Sequence, residues 1–76
     1  MGGVMRKYRC TLSSGRYLYF ATIVAANEQQ SAEMAAVEAN KKWPGYGLGR
    51  ARWNVSVVKS SESGPARLLE CSYHSV

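Results

Sequence analysis

Residues 27 to 45 read NEQQSAEMAAVEANKKWPG, and the interpretation of this stretch decides the fold. Asn27 is a good N-cap, and Gln30 three positions later completes a capping-box pattern ahead of an alanine-rich run. Ala32, Ala35, Ala36, Ala39 and Trp43 recur at helical spacing, which predicts a helix over 28–42 with a face of small side chains. Such a face lets the helix axis approach a sheet closely. Lys41 and Lys42 fall in the last turn, where they favour the negative end of the helix dipole. Trp43-Pro44-Gly45 ends the helix, because a residue before proline avoids the α region and glycine takes the reversal.

On the N-terminal side, residues 6–12 alternate with period two, placing Tyr8, Cys10 and Leu12 on one face and Lys7, Arg9 and Thr11 on the other. Ser13-Ser14-Gly15-Arg16 supplies turn chemistry, so residues 17–25, rich in aromatic and β-branched side chains, complete a hairpin. The register of this second strand is open, since both of its faces are apolar. The reading adopted turns Leu18, Phe20 and Val24 inward and leaves Tyr17 and Tyr19 beside Lys7 and Arg9.

On the C-terminal side, residues 45–50 form a glycine-rich loop. A third strand follows over 51–59, with Trp53, Val55 and Val57 alternating against Arg52, Asn54 and Ser56. Residues 60–65 are a polar connection. Residues 66–73 then alternate Leu69 and Cys71 against Leu68 and Glu70, predicting a fourth strand at a sheet edge. The order is ββαββ, an α+β fold of two layers: a four-stranded, mostly antiparallel sheet with one helix on one face.

Seventy-six residues make one domain near the lower size limit for folding without staples, with 1–5 and 74–76 expected to fray. No apolar run is long enough to span a membrane. The opening seven residues lack the apolar stretch of a secretory signal, so the cytoplasm is the expected compartment and both cysteines are expected as reduced thiols.

Charge supplies the functional expectation. Ten Lys and Arg face five acids. Glu28, Glu33 and Glu38 lie in the helix with Lys41 and Lys42, giving −1 there, while the rest of the chain carries eight cations against Glu62 and Glu70, giving +6. A single helix covers one sheet face; the other is expected to carry Lys7, Arg9, Tyr17, Tyr19, Arg52, Asn54 and Ser56. Lys and Arg beside Tyr rings suit an anionic partner, either nucleic acid or an acidic protein surface. The same cations also serve solubility and discourage edge pairing. Tyr46, Leu48, Arg50 and Arg52 of the glycine-rich loop add interface-type side chains.

Other chemistries are disfavoured. The loop leaves a helix C-terminus and lacks a GK[ST] tripeptide, unlike a phosphate loop, so its glycines are read as reversing the chain. Two cysteines and His74 do not supply a structural zinc site. Asp is absent, and no acid and base couple suggests itself among the five Glu. A non-enzymatic protein without metal or cofactor is expected. Met34 and Val37, beside the alanine face, or a free sheet edge are candidate surfaces for a homodimer.

Trp43-Pro44-Gly45-Tyr46-Gly47-Leu48-Gly49-Arg50 resembles a proline and glycine-rich stretch of a small anti-CRISPR protein of bacteriophages, and the overall organisation is similar to short phage accessory proteins. The resemblance implies an inhibitor that binds a CRISPR surveillance complex and blocks DNA access or nuclease recruitment. Many such inhibitors are acidic mimics of DNA; a basic chain points instead to an acidic protein surface or to nucleic acid itself. The expected function is therefore a small binding protein using its basic open face and glycine-rich loop, with a nucleic-acid-binding domain or a self-associating module as alternatives.

Overall fold

A computed structural model describes residues 4–14, 17–45 and 53–75. Its elements are β1 (Met5–Ser14), β2 (Tyr17–Ala25), α1 (Glu28–Lys42), β3 (Asn54–Glu62) and β4 (Arg67–Ser75). The chain is ββαββ as expected, with one sheet in the order β3-β1-β2-β4 and all three pairings antiparallel. Met5, His74 and Ser75 belong to strands.

The helix begins as its sequence dictates. Asn27 Oδ1 accepts from the Gln30 amide at 2.8 Å, and the Gln30 side chain reaches back one residue further than an ordinary capping box, accepting from the Ala26 amide at 2.7 Å. At the other end the Trp43 amide donates to the Ala39 carbonyl at 2.8 Å, and Gly45 takes a positive φ of 93°. Ala35, Ala36 and Ala39 are buried. Ser31 is buried with them, its hydroxyl bonded to the Glu28 carbonyl at 2.7 Å, a position the small-residue reading passed over.

Against these small side chains the sheet sets large ones. Tyr8, Cys10 and Leu12 from β1 and Tyr19, Ala21, Ile23 and Ala25 from β2 form the core, with Trp53 before β3. Tyr17 packs at its margin. The strand-two reading is thus corrected: Tyr17 and Tyr19 face the helix, while Leu18, Phe20, Thr22 and Val24 lie on the opposite face, in register with Ser13, Thr11, Arg9 and Lys7. An alanine face leaves a gap that only bulky partners fill, and the tyrosines are bulkier than the alternatives. A helix about 10 Å across covers roughly two strands spaced 4.8 Å apart. Val57, paired with Tyr8 on the helix side, is therefore left half exposed at the β3 edge.

The connection from β3 to β4 has a severe geometric demand. It runs over residues 63–66, yet the strands it joins lie at opposite edges, with the β1–β2 hairpin between them. Three inter-strand spacings amount to about 14 Å. Glu62 to Arg67 is five steps, at most roughly 17 Å when fully extended, and Gly64 bends the path with a φ of 93°. The edges must therefore curl toward each other at this end. The register irregularities agree: all fall here, between Met5 and Lys7, Lys7 and Tyr8, and Thr22 and Ile23, and bulges sharpen local twist. Val24 shows the result, pointing away from the helix but fully buried outside the main core. The bulge in the β2–β4 pairing also corrects the fourth strand, seating Leu68 and Cys71 against the core and leaving Leu69 exposed.

Arg67 holds this connection, its Nη1 donating to the carbonyls of Ser63 at 3.0 Å and Pro65 at 2.9 Å. A Cβ on Gly64 would come within 2.7 Å of Nη1 and occupy the left-handed region. Gly64→Ala is expected to lower stability by about 1–2 kcal/mol, read as a fall in urea midpoint, whereas Ser61→Ala on the exposed end of β3 should change it by less than about 0.5 kcal/mol. Equal midpoints would show that the connection is not under this constraint.

Candidate functional site

On the face away from α1, the strand pairings fix which side chains adjoin. One row crosses the sheet as Ser56, Arg9, Thr22 and Glu70, and the next as Asn54, Thr11, Phe20 and Ser72. Toward the curled end lie Lys59, Lys7, Val24 and Arg67; toward the other end, Ser13, Leu18 and His74. Lys7, Arg9 and Asn54 stand where the strand alternation placed them. Tyr17 and Tyr19 do not, and Tyr46, Leu48, Arg50 and Arg52 lie outside the described residues.

Among the described residues, the aromatic side chains of the open face are Phe20 and His74. Phe20 is half-buried, its ring 5.5 Å from the His74 imidazole at 73°, an edge-to-face arrangement. Both were passed over because Phe20 was assigned to the core and His74 to a frayed end. Their cross-strand proximity depends on the β2–β4 register, which pairs Leu18 with His74.

Among the described residues, four cations occupy this face in unequal conditions. Lys59 sits 3.7 Å from Glu62 and is locally neutralised. Arg67 retains its charge but spends two donors on the connection. Lys7 and Arg9 take no part in the ion pairs among the described residues, which join Lys59 to Glu62 and Lys41 to Glu38. Two acids adjoin these cations among the described residues: Glu62, beside Lys59, and Glu70, across β2 from Arg9. A depression of about 150 Å³ lies at the centre, lined by Arg9, Phe20, Thr22, Glu70 and Ser72.

The opposite side has different chemistry. A groove of about 260 Å³ between α1 and β4 has Met34, Val37 and Leu68 as its apolar lining and Glu33 and Glu38 as its charges. Glu38 is paired with Lys41 at 3.7 Å. Tyr17, Tyr19, Trp43 and Tyr73 form a cluster on this side, with Tyr17 stacked on Tyr73 at 5.4 Å and Trp43 5.4 Å from Tyr19. These tyrosines pack at the helix end, on the side opposite Lys7 and Arg9. Among the described residues, no group of three or more His, Cys, Asp or Glu could hold a metal ion, and no helix is long and apolar enough to cross a membrane.

Cys10 and Cys71 both pair with Ala21, from opposite sides of β2. Two strand spacings put their Cα atoms about 10 Å apart, beyond disulfide reach, and both are free thiols. Burial pushes the Cys10 thiol up, opposed in part by the Ser31 side chain. Burial also raises Cys71, with Lys42 opposing and Glu38 reinforcing. Both hold their protons to higher pH folded than unfolded, so stability declines as pH rises through the ordinary thiol range. Alkylation followed by mass spectrometry at neutral pH should label half-buried Cys71 before buried Cys10, both more slowly than a free thiol; rapid labelling of Cys10 would contradict the packing.

Comparison with protein-family models, curated proteins and solved structures finds no match to this chain.

Proposed function

We propose that this chain is a non-enzymatic binding protein whose open sheet face receives an anionic partner. The observation that carries the reading is the gathering of Lys7, Arg9 and Arg67 on the face that no described element covers, whereas on the helix side Glu33 and Glu38 are accompanied by Lys41 and Lys42. Lys7 and Arg9 on β1 take no part in the ion pairs among the described residues, so their charged heads are available to a ligand, while Arg67 on β4 adds positive charge with Nη1 held by the connection. The inhibitor role implied by the resemblance at residues 43–50 is a narrower form of this proposal, with an acidic surface of a CRISPR complex as the partner.

Binding to inorganic polyphosphate, a flexible anion with no other recognition chemistry, tests the face directly. The protein should bind with an affinity that falls steeply as salt rises, and Lys7→Glu with Arg9→Glu should lower the slope of log affinity against log salt by about 2. Both positions are at the surface, so the circular dichroism spectrum should be unchanged. An unaltered slope in the double variant would remove the open face as the anion-binding surface.

A further inference from the structure

The reading of the open face as an anion-binding surface leaves Glu70 unexplained. A carboxylate on such a face, here on the edge strand β4, repels phosphate. The residues that line the depression with it bring chemistry other than charge: aromatic Phe20 and the hydroxyl-bearing Thr22 and Ser72, together with Arg9. The volume, about 150 Å³, is below the roughly 300–1,000 Å³ of sites that enclose a whole small molecule. The depression therefore suits one flat group of a longer ligand whose remaining contacts lie outside it.

We propose that this depression is a nucleobase slot and that the anionic partner is single-stranded nucleic acid. Resting on the preceding reading, this adds the chemistry that makes a base, rather than phosphate alone, the recognised unit. Phe20 supplies the stacking surface, which is sequence-tolerant because every base has a π-face. Glu70 accepts from an exocyclic amino group, as carboxylates do from cytosine N4, and so favours amino-bearing bases over thymine or uracil, whose ring edges offer no amino donor. Lys7 and Arg9, two residues apart on one side of β1, stand about 6.6 Å from each other along the strand and serve consecutive phosphates of an extended chain. A duplex is disfavoured, since its bases are stacked on each other and cannot enter a slot in a sheet.

The test uses the full chain with fluorescent oligodeoxycytidylate and oligothymidylate of about twelve nucleotides, with polyphosphate and poly-glutamate as base-free polyanions. The cytidylate should bind several-fold more tightly than the thymidylate. Phe20→Ala should weaken both oligonucleotides by about tenfold and leave polyphosphate unchanged; Phe20→Leu, which retains apolar bulk for folding, should show the same pattern. Glu70→Gln should strengthen polyphosphate binding by relieving repulsion and reduce the preference for cytidylate. Equal affinities for the two oligonucleotides, with no selective effect of Phe20→Leu, would overturn the base slot while leaving the anion-binding face intact. Preference for poly-glutamate over every oligonucleotide would overturn it in favour of an acidic protein partner. Failure to bind any polyanion would defeat both readings.

Discussion

The curvature of the sheet depends on a connection that is barely long enough. Residues 63–66 must carry the chain from one edge of a four-stranded sheet to the other, and elementary chain dimensions leave only a few ångströms of slack. The sheet accommodates by curling, with every register irregularity at the end where the connection crosses. Val24 is enclosed as a consequence, Arg67 is drawn to the carbonyls of Ser63 and Pro65, and the rows of the open face are set by the resulting register.

The helix imposes the second constraint. Its alanines and Ser31 bring the axis close to the central hairpin, and its width covers roughly β1 and β2 only. Tyr8 and Tyr19 fill the interface, while Tyr17, Tyr73 and Trp43 close it near the helix C-terminus. With large aromatic side chains concentrated on the helix side, the open face is left with Phe20 and His74 among hydroxyls and cations. The two sides consequently differ in kind: an apolar groove flanked by Glu33 and Glu38 on one, and a shallow polar depression beside Lys7 and Arg9 on the other.

Much of this was legible in the sequence, for identifiable reasons. Asn27 and Gln30 mark the helix start, Trp43-Pro44-Gly45 its end, and the observed span is the expected one. β1 alternates cleanly because one face is core and the other carries Lys7 and Arg9. β2 could not be oriented in the same way: it is a central strand buried on both faces at its C-terminal end, so alternation carried no information. The decisive signal was size complementarity, since a helix face of alanine requires bulky partners and Tyr17 and Tyr19 are larger than Leu18 and Val24. The β4 error has another cause. A bulge breaks period two, so Leu68 takes the inward position that strict alternation gave to Leu69. β4 stands at an edge as expected, but its crossing to the edge opposite β3 was not readable from local pattern, because nothing in residues 60–65 indicates that the chain crosses the sheet.

The most direct measurement is residue-resolved nuclear magnetic resonance during titration with single-stranded oligonucleotide. The account predicts progressive shifts of the Phe20 ring, the Thr22 methyl and the Arg9 and Ser72 amides, with Ala35, Ala39 and Met34 methyls on the helix side unmoved. Shifts concentrated on Met34, Val37 and Leu68, with Phe20 and Thr22 unchanged, would place the ligand in the helix-side groove and contradict the assignment of the open face.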